Sequence, residues 1–196
     1  MVRMRASAAE AFALENRPLI LARARIGVWL GALALLAFVP IDALRTGEAL
    51  AAVSAIRGLG AALLLAALPI MQRADAPRFA LPLAGWVVFV LSATIAATMT
   101  FTNGPTDPAY LLQVVGVVIL ILGTSLLLPV DGKQMIAIAS LPLFCHVAGS
   151  IAFPVEQNLQ YLFASFVAAI IGTIGAQASY VMRLSESERR IAKEQL

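Results

Sequence analysis

The chain has 196 residues, of which 61% are hydrophobic and only 13% are charged, and its formal net charge is +3. Soluble domains are roughly 45–50% apolar and about 25% charged, so this many apolar residues cannot be buried inside one soluble core of this size. The single cysteine excludes an internal disulfide framework and a cysteine-based metal cluster. The apolar residues occur in long blocks, which predicts a membrane protein.

Residues 1–22 are predicted to form a cytoplasmic N-terminal segment. Within it the stretch ASAAEAFALEN, with Phe12 and Leu14 among alanines, favours a short helix lying on the inner membrane surface. A frayed leader is the alternative interpretation. Pro18 suits an early position of the helix that follows, where its missing N–H is not needed.

Six apolar blocks follow, and each is long enough to cross a hydrocarbon core of about 30 Å as a helix. The predicted spans are residues 26–44, 49–70, 79–100, 110–130, 134–154 and 158–182. Because the connectors are short, consecutive helices should run antiparallel. The predicted fold is therefore an all-α polytopic membrane protein, whose six antiparallel transmembrane helices form a domain over residues 23–182.

The Lys and Arg residues predict the orientation. Twelve of the 14 would lie on one side of the membrane, and only Arg45 and Arg57 fall towards the other. Loops rich in Lys and Arg stay in the cytoplasm, so both termini should be cytoplasmic. The expected location is a bacterial cytoplasmic (inner) membrane, with membrane lipid as a partner and no nucleic acid.

Polar residues within the spans are costly in lipid and are therefore candidates for function. Most are predicted in the outer half, where they would suit a pocket for a small ligand or a lipid. The candidate pocket residues are Asp42, Arg57, Thr94, Thr98, Gln113, His146, Ser150 and Gln160. Asp42 and Arg57 belong to neighbouring spans and would pair, or else Asp42 lies among headgroups while Arg57 extends outwards.

His146 is the only histidine of the chain. It would hydrogen-bond between helices, contact a ligand, or bind a metal or haem. A haem held by two histidines would need the second from another chain. Cys145 is adjacent, but neighbouring helical residues point about 100° apart, so the two do not readily share one metal. No metal site and no cofactor are predicted.

After Gly175 no glycine or proline interrupts the predicted helix, and half of residues 183–196 are charged. A helix over residues 158–196 would be about 58 Å long, twice the hydrocarbon thickness. The pattern predicts a signalling helix that enters the cytoplasm and starts a coiled coil, although a solvated amphipathic end is the alternative. The predicted homodimer seam comprises Ala164, Ala168, Gly172, Ala176, Leu184 and Ile191, and contacts within the chain are the alternative for its small residues.

The stretches DPAYLLQVVGVVILILGTSLLLP and NLQYLFASFVAAIIGTIGAQASYVMRLSESERRIAKEQL resemble the six-helix membrane input regions of bacterial signalling proteins. The matching features are Tyr110, Pro129 and Asn158, and the likeness covers about the last 90 residues. In that family the last span continues into a dimeric signalling helix ahead of a class III adenylyl cyclase, diguanylate cyclase or histidine kinase domain.

The expected function is a membrane sensor or receptor and dimerisation domain that regulates such a cytoplasmic enzyme. The alternatives are a small six-helix transporter and a pure membrane anchor and assembly module. The chain contains no catalytic motif of its own, so catalysis would belong to the enzyme that it regulates.

Overall fold

The computed structural model of the chain describes residues 2–43, 49–73, 75–101, 108–152 and 158–194. Every regular element in these five ranges is helical, which confirms the predicted all-α class. The α-helices are α1 (Val2–Ala37), α2 (Val39–Ala43), α3 (Leu50–Leu65), α4 (Leu68–Met71), α5 (Ala80–Met99), α6 (Pro108–Leu127), α7 (Gly132–Ala152) and α8 (Asn158–Glu194). A short 3-10 helix, Ala76–Phe79, precedes α5.

The first helix differs from its prediction. The sequence suggested a separate N-terminal helix before Pro18, whereas α1 runs without interruption from Val2 to Ala37 with Pro18 inside it. Proline removes one backbone hydrogen bond, but the helix on either side is long enough to continue through that loss. Near its start, Phe12 is buried edge-on against the ring of Tyr180 in α8, with the ring centroids 5.4 Å apart.

The second predicted span is divided into α3 and α4. The division falls just before Pro69, which occupies the first turn of α4. That position suits proline, because the first N–H groups of a helix have no intrahelical partner. The other predicted boundaries agree with the helices to within a few residues, and α8 continues without a break to Glu194, as the sequence after Gly175 predicts.

Four helical stretches of the described residues are long and apolar enough to cross a membrane. They are Leu14–Ala43, Leu50–Met71, Ala76–Met99 and Leu162–Arg190, and Gln113–Leu127 is a shorter apolar helix. Large apolar side chains such as Leu33, Leu126 and Ile151 are mostly exposed on the outside. A surface of this kind is costly in water and favourable in lipid.

Helix α5 lies at the centre of the bundle. It packs against α1 and α3 on one side and against α6 and α7 on the other. Half of its apolar stretch is buried, compared with a third or less in the other three stretches. Its buried hydroxyls are satisfied within the helix, since Ser92 donates to the Val88 carbonyl at 2.6 Å and Thr94 to the Val90 carbonyl at 2.7 Å. Such bonds make Ser and Thr acceptable inside a membrane bundle.

Two arginines of α1 bind the last residues of two other helices. Arg23 donates to the carbonyl of Leu127, where α6 ends, and Arg25 donates to the carbonyl of Met71, where α4 ends. The last carbonyls of a helix have no intrahelical donor and lie at the negative end of its dipole, so cationic donors are favourable there. We call this the basic end of the bundle; the opposite end, with Asp42 and Arg57, is the ion-pair end.

The start of α7 is held to α8 near the basic end. Asp131 accepts from the backbone N–H of Gln134 at 2.8 Å, while its own N–H donates to Gln134 Oε1 at 3.3 Å, which is a capping box. The N–H of Gly132 donates to Gln177 Oε1 in α8 at 2.7 Å. These bonds fix the beginning of α7 against the final helix.

Candidate functional site

A cavity of about 520 Å³ lies between α1 and α6, with α5 as its floor. We call it the α1–α6 groove. The α1 wall includes Ala24, Gly27, Leu30, Gly31 and Ala34, and Phe38 follows just after the end of α1. The α6 wall includes Gly116, Ile119, Leu120, Gly123 and Thr124, and the floor includes Val87, Val88, Leu91 and Ile95. These residues recur three or four positions apart, so each wall is one face of a helix. The lining is almost entirely apolar.

Small residues line both walls of the groove. Gly27 and Gly31, one turn apart on α1, pack against Val87, Leu91 and Leu64. Gly123 of α6 has only open space where a side chain would begin. The GxxxG spacing of α1 therefore contacts α3 and α5, and α1 and α6 stand apart across the cavity.

The basic end of the groove is closed by the hydrogen bond from Arg23 to the Leu127 carbonyl. Arg23 is partly buried, so its aliphatic part lines the apolar cavity while its guanidinium reaches the end of α6. The path from Arg23 through α1 and α2 to Asp42 is about 28 Å at 1.5 Å per residue. The groove therefore extends over nearly the whole depth of a hydrocarbon core.

The ion-pair end is closed by Asp42 and Arg57, which are 5% and 4% exposed. Arg57 donates through Nε to Asp42 Oδ2 and through a terminal nitrogen to Oδ1, the second at 3.2 Å. Its guanidinium carbon lies 5.0 Å from the centre of the Phe38 ring, in a cation–π contact. The bidentate pair neutralises both charges where neither is hydrated.

Gln113 is one of the few polar residues in the lining of the groove, where it belongs to the α6 wall. Its Oε1 atom is buried and accepts no hydrogen bond from any residue that the structure describes. A buried acceptor without a donor is unfavourable, so Gln113 Oε1 is a local cost of this packing.

The groove is open sideways between α1 and α6. Leu30 on α1 and Ile119 and Leu127 on α6 line it and are 57–63% exposed. In a membrane, exposed apolar side chains of this kind would contact lipid rather than water, and the groove would then be open sideways to lipid.

The eight predicted pocket residues do not form one site. Asp42, Arg57 and Gln113 line the groove. Thr94 and Thr98 are buried in α5, where Thr94 packs tightly against Gly60 of α3 and Thr98 donates to the Ile95 carbonyl at 2.9 Å. The side chains of Ser150 and Gln160 lie outside the described residues.

His146 is buried between α7 and α8, outside the groove lining. Its Nδ1 atom lies 3.2 Å from the hydroxyl of Ser165, and its Nε2 atom has no hydrogen-bond partner within the described ranges. This contact corresponds to the interhelical hydrogen bond considered for His146. The neighbouring Cys145 is a buried free thiol. In the described part of the chain, no three His, Cys, Asp and Glu side chains are grouped as metal ligands.

The predicted dimer seam is largely occupied by packing within the chain. Ala168, Gly172 and Ala176 are buried, and Gly172 faces Ser125 and Ile121 of α6. Ala164 is exposed and Leu184 is partly exposed. The side chain of Ile191 is not among those described. A second copy would therefore have to contact another face of α8 within the bundle.

Three residues that shape the groove or contact His146 were not predicted from the sequence. Gly116 and Gly123 widen the groove, and their spacing of seven positions on one face of α6 was the available indication. Ser165, the partner of His146, gave no comparable indication, because the two residues lie on different helices.

The comparisons with known proteins add no family to this description. No family model matches the sequence, and neither a curated protein nor a solved structure is significantly similar to it.

Proposed function

We propose that this chain is a membrane sensor and dimerisation domain, which transmits the occupancy of the α1–α6 groove through α8 to a cytoplasmic nucleotide cyclase or histidine kinase. In this proposal the chain lies in a bacterial cytoplasmic membrane, crosses it six times and has both termini in the cytoplasm. The continuity of α8 is the observation that carries the proposal. It is one helix of 37 residues, unbroken at Met182.

The helix lengths and the end-to-end contacts support six antiparallel crossings. α6 and α7 have 20 and 21 residues and would each extend about 30 Å, which matches the hydrocarbon core. Arg23 near the beginning of the α1 crossing contacts the end of α6, and Asp42 beyond the end of α1 contacts Arg57 near the beginning of α3. Such contacts are expected when consecutive helices reverse direction.

The extension of α8 supports an output role. At 1.5 Å per residue α8 is about 55 Å long, so roughly half of it exceeds the hydrocarbon core. Ser185, Glu186 and residues 188–190 are exposed, whereas Ala168, Gly172 and Ala176 are buried in the bundle. A rigid helix that is packed at one end and free at the other can transmit a rotation or a shift.

The groove and the output helix share α6. α6 forms one wall of the groove and also packs along α8, where Gly172 lies close to Ser125 and Ile121. A ligand that widens the groove would move α6 against α8. Packed helices tend to shift between discrete arrangements. A movement of α6 would therefore be passed on to α8 and not be absorbed by local deformation.

Dimerisation is proposed through the part of α8 that leaves the bundle. Leu184 and Ile191 are seven positions apart, the spacing of one coiled-coil heptad. Within the bundle, the exposed face of α8 that includes Phe163, Ile170 and Ile174 is available to a second copy or to lipid.

The test is a helical-phase experiment on the chain fused to a diguanylate cyclase domain. One to seven alanines are inserted after Ser187, and each adds about 100° of rotation and about 1.5 Å. Cyclic dinucleotide production should rise and fall with a period of about 3.5 residues and return near its starting value with seven insertions. The same insertions placed in a Gly/Ser linker behind α8 should have no periodic effect.

Cyclic dinucleotide production that does not depend on the number of inserted residues would contradict transmission through α8. If membrane localisation and cyclase activity were then unchanged, the anchor interpretation would replace it. Transport of a solute by vesicles containing the chain alone would instead support the transporter.

A further inference from the structure

At the basic end of the bundle, α1 and α8 bring two partly buried arginines together. Arg23 lies on α1, and Arg183 lies on α8 three residues beyond Tyr180, whose ring contacts Phe12 of α1. The positive charges of Arg23 and Arg183 are near enough to repel each other. Like charges that are partly removed from water are unfavourable unless an opposite charge joins them.

The described part of the chain does not provide that opposite charge. Neither arginine forms an ion pair with a carboxylate that the structure describes, and Arg23 donates to the neutral carbonyl of Leu127. Asp131 lies near Tyr180, but its carboxylate accepts from the N–H of Gln134 at the start of α7. The basic end is therefore short of negative charge, whereas the two buried charges at the ion-pair end compensate each other.

The surroundings of Arg23 indicate that the missing negative charge belongs to a lipid. Leu19 lies four positions before Arg23, and Ile26 and Leu30 lie three and seven positions after it. All four side chains therefore share one face of α1. The three apolar side chains are 39%, 57% and 59% exposed. Such a face is costly in water and favourable in lipid, so an anion that reaches Arg23 here would carry acyl chains.

We propose that the basic end binds an anionic phospholipid, whose phosphate accepts hydrogen bonds from Arg23 and Arg183 while an acyl chain lies along the exposed apolar face of α1. Guanidinium groups suit this role because their N–H donors match the oxygens of a phosphate. Basic sites between membrane helices bind the headgroups of anionic lipids in this way. The lipid joins α1 to α8 beside the part of α8 that leaves the bundle. The site does not depend on the proposed relay, because an anchor or a transporter with the same bundle would bind the same lipid.

Binding is measured by native mass spectrometry on the purified full chain in a non-ionic detergent. The probes are dioleoyl phosphatidylglycerol, which has a net negative charge, and dioleoyl phosphatidylcholine, which has the same chains and a phosphate but no net charge. The first phosphatidylglycerol should bind about 25-fold more tightly than the first phosphatidylcholine, because each of the two arginines contributes about fivefold. Glycerol 3-phosphate has the phosphate without the chains and should not displace the lipid.

Arg183→Gln tests the site without removing the hydrogen bond from Arg23 to Leu127. It should weaken the binding of phosphatidylglycerol about fivefold and leave that of phosphatidylcholine unchanged. Arg183→Lys keeps the charge and should lose less than about twofold. Arg73→Gln is the matched control, because it removes one positive charge from an exposed residue that follows α4 at the same end. It should bind both lipids as the unchanged chain does.

Arg23→Gln should also weaken the binding of phosphatidylglycerol about fivefold, and thermal unfolding of each variant establishes that it is folded. Equal affinities of the unchanged chain for the two lipids would overturn the proposal. Equal losses in Arg183→Gln and Arg73→Gln would also overturn it, since net charge alone would then attract the lipid. Displacement of phosphatidylglycerol by glycerol 3-phosphate would show that the site takes a water-soluble phosphate and would overturn the lipid as its ligand.

Discussion

Arg57 of α3 holds the carboxylate of Asp42 through two donors, and both residues are at least 95% buried. Removing one member of such a pair leaves the other charge without compensation, whereas removing both leaves no buried charge. Arg57→Met alone should therefore lower the free energy of unfolding by about 3 kcal/mol, and Arg57→Met combined with Asp42→Leu should recover most of that loss.

The measurement is unfolding in mild detergent, followed by circular dichroism. Substitution of the exposed Arg73 by Met is the matched control and should have little effect. A double variant as unstable as the single one would show that the pair does not act as a unit.

The close approach of α3 to α5 depends on Gly60. A methyl group there would collide with Thr94 Oγ1 and lie 3.1 Å from Leu35 Cδ1, so the helices would have to separate. Gly60→Ala should cost about 2 kcal/mol in stability, the usual magnitude for overpacking. Gly58 has open space around it, and Gly58→Ala should instead be stabilising by up to about 1 kcal/mol through helix propensity. Equal melting temperatures for the two variants would contradict this account of α3–α5 packing.

The capping box of α7 predicts a local effect. Asp131→Ala removes the acceptor for the N–H of Gln134 and should cost about 1 kcal/mol, the usual value for an N-cap. Hydrogen exchange should become faster in the first turn of α7 and remain unchanged in its second half. Lys133→Ala changes an exposed residue of the same turn and serves as the control. Faster exchange throughout α7 would mean that the cap stabilises more than the helix end.

The hydrogen bond from Arg23 to Leu127 should keep the groove narrow at the basic end. Spin labels at Leu30→Cys and Ile119→Cys, with Cys145→Ala, report the distance between the two walls, because both sites are exposed. Arg23→Leu should shift the distance distribution to longer values and broaden it, since the end of α6 loses its cationic donor. Arg17 is exposed, and Arg17→Leu should leave the distribution of distances between the spin labels unchanged. An unaltered distribution in Arg23→Leu would show that the walls are held by α5 alone.

The sequence predicts the helices of this chain much better than the contacts between them. Long apolar blocks separated by charged and proline-containing connectors are sufficient to locate α5, α6 and α7 to within a few residues. The pairing of Asp42 with Arg57 was also foreseeable, because both lie beside the same short connector.

The contacts between distant helices were not predictable, because small residues indicate close approach without naming the neighbour. Gly27 and Gly31 contact α3 and α5, and Gly172, expected at a dimer seam, contacts α6 of the same chain. Similarly, nothing in the sequence connects His146 with Ser165, or Gln113 with the opposite wall on α1. The groove arises from the distance at which α5 holds α1 and α6, which is a property of the packed bundle.

The central position of α5 has a consequence for biogenesis. α5 touches α1 and α3, which are synthesised before it, and α6 and α7, which follow it. While the ribosome is still adding the second half of the chain, the face of α5 that later receives α6 and α7 is bare. A pause in translation after α5 would prolong the exposure of this face to wrong partners.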